Sequence, residues 1–271
     1  MNTSNIESLR IKLANLVQIR EESKGAKIVK LQEYLRMSYD MLKDNYEELG
    51  AANEVYMEDW EMLLPKNDLK FKKFLFRFQK LLFDYLASFS TFVDHTRVFV
   101  NRINNMELKR DFDNVKKKKQ VKEKTKFVKE LHNYLHHIEL PLVRAKIGYF
   151  QTFTDLKNNT VSGTCKDNLC LLKDELLKAD EFRSISKDFL RKYPSREITI
   201  VTFDGNGFVD KCQAITEELY QWLNKKVGDL FHSEIIDFQK IENKIQKTSR
   251  ELQEKQKKNL TNLLKKNQLK D

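Results

Sequence analysis

Helix breakers are the scarcest residues in this chain, with seven glycines and three prolines in 271 positions. So little punctuation excludes a turn-rich all-β chain and a Pro/Gly-rich disordered one, and it predicts long helices. Cysteine is scarce as well. Cys165, Cys170 and Cys212 are too few and too unevenly placed for a disulfide framework, and the interval from Cys165 to Cys170 fits no common zinc spacing. No apolar run reaches the roughly eighteen residues that a membrane-spanning helix requires. The opening segment MNTSNIESLRIK has no charged start followed by an apolar stretch, so no signal peptide is expected and a cytoplasmic location is the default. Walker, nucleophile-elbow and EF-hand patterns are missing, and the single Gly-x-Gly of DGNG at 204–207 is a turn rather than a phosphate cradle. Lysine far outnumbers arginine, which argues against base readout by forked guanidinium groups.

What is present is leucine, lysine, glutamate and aromatic residues, at a formal net charge of +10 that is unevenly spread. Residues 108–130 hold ten Lys or Arg against four Asp or Glu, and residues 239–271 hold ten against four again. The remainder is close to neutral. Two basic segments permit contact with a polyanion, while lysine-rich solvated helix faces would look the same.

Residues 5–48 carry apolar positions at helical spacing, among them Leu9, Leu13, Leu16, Ile28, Leu31, Leu35 and Leu42. Gly25 is expected to interrupt this segment. ELGAANEVY reads as a turn near Gly50, with Asn53 capping a short helix that Pro65 ends. The strongest element is Asp68 to about Arg102, with Asp68 as its N-cap and Phe71, Phe74, Leu75, Phe78, Leu82, Tyr85, Phe89 and Phe92 in the three-four rhythm. Phe76, Phe83 and Phe99 add apolar surface elsewhere around its axis, so it reads as the central helix of a bundle. Asn104 and Asn105 punctuate its end. The run VKKKKQVKEKTK at 115–126 is a solvated helix face or a connector, and Phe127, Leu131, Leu135 and Ile138 then restore an apolar stripe that Pro141 stops. Beyond Pro141 near-alternation predicts two short strands or a hairpin. CLLKDELLKADEFRSISKDFLRKYP reads as helix, REITIVTF as a short strand, FVDKCQAITEELYQWLNKKVGDLF as helix, and the tail as a long amphipathic helix.

KFVKELHNYLHHIELPLV, at 126–143, concentrates three of the five histidines: His132, His136 and His137. On a helix His132 and His136 share one face, and Asn133 and His137 share another. Both pairs flank the apolar stripe. They are either parts of a chemical site or the polar flank of an ordinary helix. His132 and His136 also form an His-x-x-x-His pair, for which only Asp94 and His95 offer a third ligand; no metal site is assigned.

HNYLHH resembles the signature of the HEPN superfamily, helical-bundle proteins that include endoribonuclease toxins and defence proteins. Their motif runs Arg, then Asn, Asp or His, then His at the sixth place. His137 matches the motif histidine and Asn133 the second residue, while His132 stands where the family has arginine. The likeness covers about residues 68–140. The same text, with Leu140-Pro141 following, resembles uncharacterised bacterial helical proteins and supplies no activity by itself. The HEPN resemblance implies a metal-independent site without cofactor, completed at a dimer interface. Histidine would serve as base or acid toward the ribose 2′-hydroxyl and the 5′-oxygen, and a fixed cation would sit on the phosphorane. It places catalysis on His137, His132, Asn133 and His136. With no arginine at 132, the cation would come from Arg97, Arg102 or Arg144, the expected RNA-binding residues.

The expected fold is therefore mainly α, a helical bundle with a short β-hairpin insertion and a long C-terminal helix. The expected domains are 1–238, a bundle with a small β insertion around 142–162, and 239–271, a basic C-terminal helix or coiled-coil arm. The expected function is an RNA-directed, HEPN-like protein, a metal-independent endoribonuclease of toxin or defence type in which His132 is either a tolerated change, with a borrowed arginine, or one that leaves the protein weakened or inactive. The alternative is a non-enzymatic scaffold that binds a partner through its basic helices. Expected partners are RNA, a second copy of the chain, and an antitoxin or other protein, with no membrane.

Overall fold

The computed structural model describes residues 3–63, 65–118, 121–137, 143–145, 147–152, 161–166, 169–202 and 204–268. Within those, the side chains at 3–4, 60, 63, 65, 136–137, 147–152, 161–166 and 263–268 lie outside the description. The expected stop at Pro141, Ile138, the Asn158-Asn159-Thr160 break, and the side chains of His136, His137 and Cys165 fall outside it too.

The fold is mainly α. In chain order the elements are α1 (Thr3–Glu22), α2 (Lys24–Glu58), two 3-10 turns (Trp60–Leu63 and Pro65–Asn67), α3 (Asp68–Ile103), α4 (Met106–Lys118) and α5 (Val121–His137). The strands β1 (Val143–Arg144), β2 (Ile147–Thr152), β3 (Val161–Lys166) and β4 (Cys170–Leu172) follow. Then come α6 (Lys173–Lys178), α7 (Ser184–Lys192), β5 (Glu197–Thr199), α8 (Phe208–Leu230) and the long C-terminal helix α9 (His232–Gln268). No described helix is long and apolar enough to cross a membrane. The chain forms two compact units, Met1–Tyr34 with Asn224–Asp271, and Leu35–Leu223; α2 and α8 have residues in both. The boundary expected at 238/239 falls inside α9.

In the first unit α1 packs along α9. Arg20 pairs with Glu242 at 3.1 Å and Lys255 donates to Asn5 at 2.8 Å, so the two helices run antiparallel. The helical break lies at Ser23, not at Gly25. The Ser23 hydroxyl donates to the Arg20 carbonyl at 2.7 Å and accepts from the Ala26 N–H at 3.0 Å, which caps α2. Gly25 sits in the first turn of α2, where a Cβ would strike the Glu234 carbonyl oxygen of α9. Its role is close approach rather than interruption.

The second unit holds most of the core. α2 runs straight through the expected turn at Gly50, and Asn53 is interior to it rather than a cap. The reason is a seven-residue repeat: Leu35, Leu42, Leu49 and Tyr56 are all buried, so one apolar seam spans the Gly50 region and outweighs its turn-like residues. α3 is the central helix, as its pattern predicts, burying Leu75, Phe78, Leu82, Tyr85, Phe89, Phe92 and Phe99. Phe78, Phe89 and Phe92 are essentially inaccessible, each worth about 2–3 kcal/mol of transfer free energy. Phe76 is 63% exposed, so one side of α3 is wet. Asp68 is not the cap. It is the first helical residue and pairs with Lys72 at 2.7 Å, while the preceding Asn67 turns its amide back to the Glu61 carbonyl at 2.8 Å. Asn104, left-handed with φ 53°, closes α3, and the Asn105 side chain accepts from Leu108 N–H at 2.9 Å to open α4.

The β2–β3 hairpin is antiparallel, Ile147 opposite Lys166 and Thr152 opposite Val161. A second antiparallel sheet has the order β1-β4-β5, with Leu171 facing both Val143 and Ile198. Cys170–Leu172 is therefore strand, not the start of a helix. Leu171 is buried in the centre of that sheet, and the helix begins one residue later. The expected single helix here is two, α6 and α7. The second starts where Arg183 N–H donates to the Glu130 carboxylate of α5 at 2.9 Å, an anion at a helix N-terminus.

Candidate nucleic-acid interface

α5 is built around an apolar face. Phe127, Val128 and Leu131 are fully buried, and Leu135 and Tyr134 nearly so. That face packs against α3 and α7. Phe127 meets Phe189 and Phe208 at centroid distances of 4.9 and 5.1 Å. The opposite face carries Lys122, Lys126, Lys129 and Asn133 at intervals of four, three and four, which is one stripe on a helix.

The first candidate residue, His132, is half-buried at the edge of the packed face. Its ring stacks on Phe83 of α3, with centroids 4.1 Å apart and an interplanar angle of 25°. Asn133 beside it is exposed. His136 and His137 are in the last turn of α5.

The arginines are distributed differently. Lys129 donates to Asp94 Oδ2 at 2.9 Å, which joins α5 to α3, and Arg97 of the same helix as Asp94 lies 3.6 Å from its Oδ1. His95 is exposed and makes no ring contact among those described. Arg97 is fourteen residues beyond Phe83, about 21 Å along α3. Arg102, exposed in the last turn of α3, is farther still. The structure thus groups Arg97 with Lys129 and does not group Arg97 or Arg102 with the His132 ring. Arg144 bonds Glu175 of α6 at 2.7 Å. Burial raises the Tyr134 hydroxyl pKa, with help from the charges of Glu181 and then Glu175, so Arg144 and Tyr134 share one carboxylate neighbour. Lys129 was not singled out from sequence. Its position four residues before Asn133 was the signal that could have found it.

Around Arg97 and Lys129 lies a cleft of about 790 Å³ between α3, α4 and α5. Arg97, Lys116, Lys117, Lys122, Lys126 and Lys129 line it, against only Asp94, Asp113 and Glu123, over an apolar floor of Val93, Phe112 and Val121. Lys116 is committed, 2.8 Å from Asp113 and 4.4 Å from the Phe112 ring centroid. Lys117, Lys122 and Lys126 are exposed and have no ion pair among the described residues. A groove with surplus mobile ammonium groups concentrates anions. It has the size of a ligand cleft. Among the described residues no group of three His, Cys, Asp or Glu side chains is placed to hold a metal ion.

No family model, curated protein or solved structure matches this chain.

Proposed function

We propose that this protein is RNA-directed, holding the phosphate backbone in the basic cleft and presenting it to the C-terminal turns of α5. The observation that carries the reading is the lysine stripe. Lys122, Lys126 and Lys129 line the cleft and point along the helix to Asn133, the second residue of the HEPN-like motif. Backbone contacts of this kind give affinity without sequence preference, which suits lysine better than arginine.

In the cleavage the reading implies, a histidine of the 132–137 cluster takes the proton of the ribose 2′-hydroxyl. The oxygen attacks phosphorus, the bond from phosphorus to the 5′-oxygen breaks, and a second imidazole gives that oxygen a proton. The products are a 2′,3′-cyclic phosphate and a free 5′-hydroxyl, with no metal or cofactor required. His137 is the leading catalytic residue, with His132, His136 and Asn133 around it. Lys129 is the basic group one helical turn before Asn133 on the same stripe. A second copy of the chain and an antitoxin are the protein partners this class would take.

A second reading is favoured by His132. Its ring is half-buried against Phe83, which suits packing at the α3–α5 contact better than a freely charged group. On that reading the protein binds RNA, or a protein partner, through its basic helices without cutting.

Incubation with total RNA in EDTA separates the two. Cyclic-phosphate ends, lost in His137→Ala at unchanged helical circular dichroism, are expected of the enzyme. Salt-sensitive binding without cleavage selects the second reading. Equal cleavage by His137→Ala rejects the catalytic assignment, and unchanged RNA binding by Lys122→Glu/Lys126→Glu rejects the cleft.

A further inference from the structure

Residues 69–83, in the first half of α3, hold five Lys or Arg and no Asp or Glu. Lys70 pairs with Asp59 at 2.6 Å and Lys72 with Asp68 at 2.7 Å. Lys73, Arg77 and Lys80 are exposed and have no ion pair among the described residues. None of them lines the basic cleft, so this is a second basic surface.

Phe76 stands among these cations and is 63% exposed. Its neighbours along α3, Phe71, Phe74, Phe78, Phe83, Phe89 and Phe92, each have a ring partner within the chain. Phe76 has none among the described residues. Leu69, seven residues earlier, is 68% exposed and shares the open face. A lone exposed apolar residue is ordinary. An open aromatic face between unpaired cations is a surface with two complementary parts. Lys73 is three residues before Phe76 and Lys80 four after, so both flank the ring on its own side of the helix.

The position of this surface on α3 decides what it meets. At 3.6 residues per turn, Phe76, Phe83 and Asp94 fall within about 20° of one another around the axis. One strip of α3 therefore carries the open Phe76, the Phe83–His132 stack and the Asp94–Lys129 bond. Phe76 lies about 10 Å along the helix to one side of Phe83, and Arg97 about 21 Å to the other. The His132 ring thus sits between two anion-attracting surfaces. A strand held in the cleft and running past His132 next meets Phe76.

We infer that Phe76 is a stacking platform for an unpaired base, with Lys73, Arg77 and Lys80 on the phosphates beside it, an assignment that rests on the RNA-directed reading above. Stacking on the ring requires a base face, which a single strand presents and a duplex hides. Every base has such a face, so the contact tolerates any sequence, as lysine contacts to the backbone do. It supplies what the cleft lacks. The lysine stripe of α5 takes phosphates of either form, whereas Phe76 takes only an unpaired base.

Fluorescence anisotropy of the full chain with a labelled 2′-O-methyl oligoadenylate, which has no free 2′-hydroxyl and cannot be cleaved, tests this against the same strand paired with oligouridylate. Phe76→Ala should lose about fivefold or more in affinity for the single strand and change little for the duplex, at unchanged circular dichroism and salt slope. Lys73→Glu/Lys80→Glu should lower the single-strand salt slope by about 1.4. Phe76→Trp should bind as the parent does, with emission above the Trp60 and Trp222 baseline that the single strand quenches and the duplex does not. Tyr34→Ala, which removes an exposed aromatic from α2, should also bind as the parent does. The platform is overturned, with the RNA-directed reading intact, if the parent binds the single strand and Phe76→Ala binds it equally. The same follows if Phe76→Ala loses as much on the duplex, if Tyr34→Ala loses as much on the single strand, if Lys73→Glu/Lys80→Glu keeps the parent slope, or if Phe76→Trp emission is unmoved at saturation. No binding by the parent overturns both. Quenching of Phe76→Trp by a polyglutamate peptide and not by RNA would overturn the platform too, by assigning the face to an acidic protein partner.

Discussion

The two clefts of the Leu35–Leu223 unit are close in volume, about 790 and 800 Å³, and opposite in charge. The basic one joins three helices and takes its lysines from the run at 115–126 and its continuation. The acidic one lies along one helix and takes its carboxylates from a stretch whose overall composition is unremarkable. A charge run makes a surface basic wherever the chain goes. Three glutamates of α2, Glu47, Glu54 and Glu58, share one cleft only because the helix passes unbroken beneath them. Their orphaned neighbours differ as well. The spare groups of the basic cleft are solvated ammoniums, which cost little to leave alone, whereas the spare group of the acidic cleft is a buried amide oxygen, which does not.

The largest expected effect falls on the wall of the acidic cleft. Asp210→Ala removes four hydrogen bonds to one buried carboxylate and should cost about 3 kcal/mol in urea unfolding. It should leave RNA affinity of the folded protein unchanged, and an equal loss there would mean that the two clefts are not independent. Gly207→Ala attacks the same loop, because a Cβ would lie 2.6 Å from the Ile200 carbonyl oxygen and 2.7 Å from Asp210 Oδ2; about 2 kcal/mol of destabilisation is expected.

Next comes the basic cleft. Lys122→Glu/Lys126→Glu should weaken RNA binding about tenfold or more and reduce the salt slope by about 2, with stability unmoved. A filter-binding series from low to high salt reads it, and an unchanged slope would dissolve the contrast between the clefts.

Gly50→Ala is the reverse case, a gain. It should stabilise by about 1 kcal/mol, since the methyl meets nothing. Gly25→Ala on the same helix should destabilise, because its methyl meets the Glu234 carbonyl. Thermal melts that moved both in one direction would contradict the difference drawn between the two glycines.

The smallest effect is alkaline. Burial, then the hydrogen bond to Asp210 and its charge, push the Tyr46 hydroxyl up from 10.0 to about 12. The native state therefore holds that proton between pH 10 and 12 while the unfolded chain releases it, so stability falls with rising pH across that window. Cys212, pushed by burial from 9.0 to about 12, acts in the same direction from a lower starting point. Tyr46→Phe should flatten the fall by about 1 kcal/mol, discounted for the partial exposure of the ring, in denaturant midpoints measured from pH 8 to 11.

How much could be seen in the residues alone differs between helices. α3 was legible almost to the residue, since Phe78, Leu82, Tyr85, Phe89 and Phe92 repeat at helical spacing without interruption. α2 was not, because Gly50 and Asn53 are turn residues by local preference, and the Leu35-Leu42-Leu49-Tyr56 seam that overrides them has only one member per two turns. Cys170–Leu172 was misread for a related reason: three apolar residues have no period, and only pairing on both sides makes them a strand. Within the candidate site, the stripe from Lys122 to Asn133 was present in the spacing, but the grouping of Lys129 with Asp94 and Arg97 needed α3 to lie alongside α5.

By itself the sequence determined the helical class, the central helix, the hairpin and the two basic segments. These follow from local periodicity and charge, which act over a few residues and need no knowledge of neighbours. Tertiary packing decided where helices stop, which cations share a groove, and that three glutamates of α2 line a cleft with Val201 and Thr202. Those depend on which distant elements touch, and burial and Coulomb energy are set by that contact rather than by order along the chain.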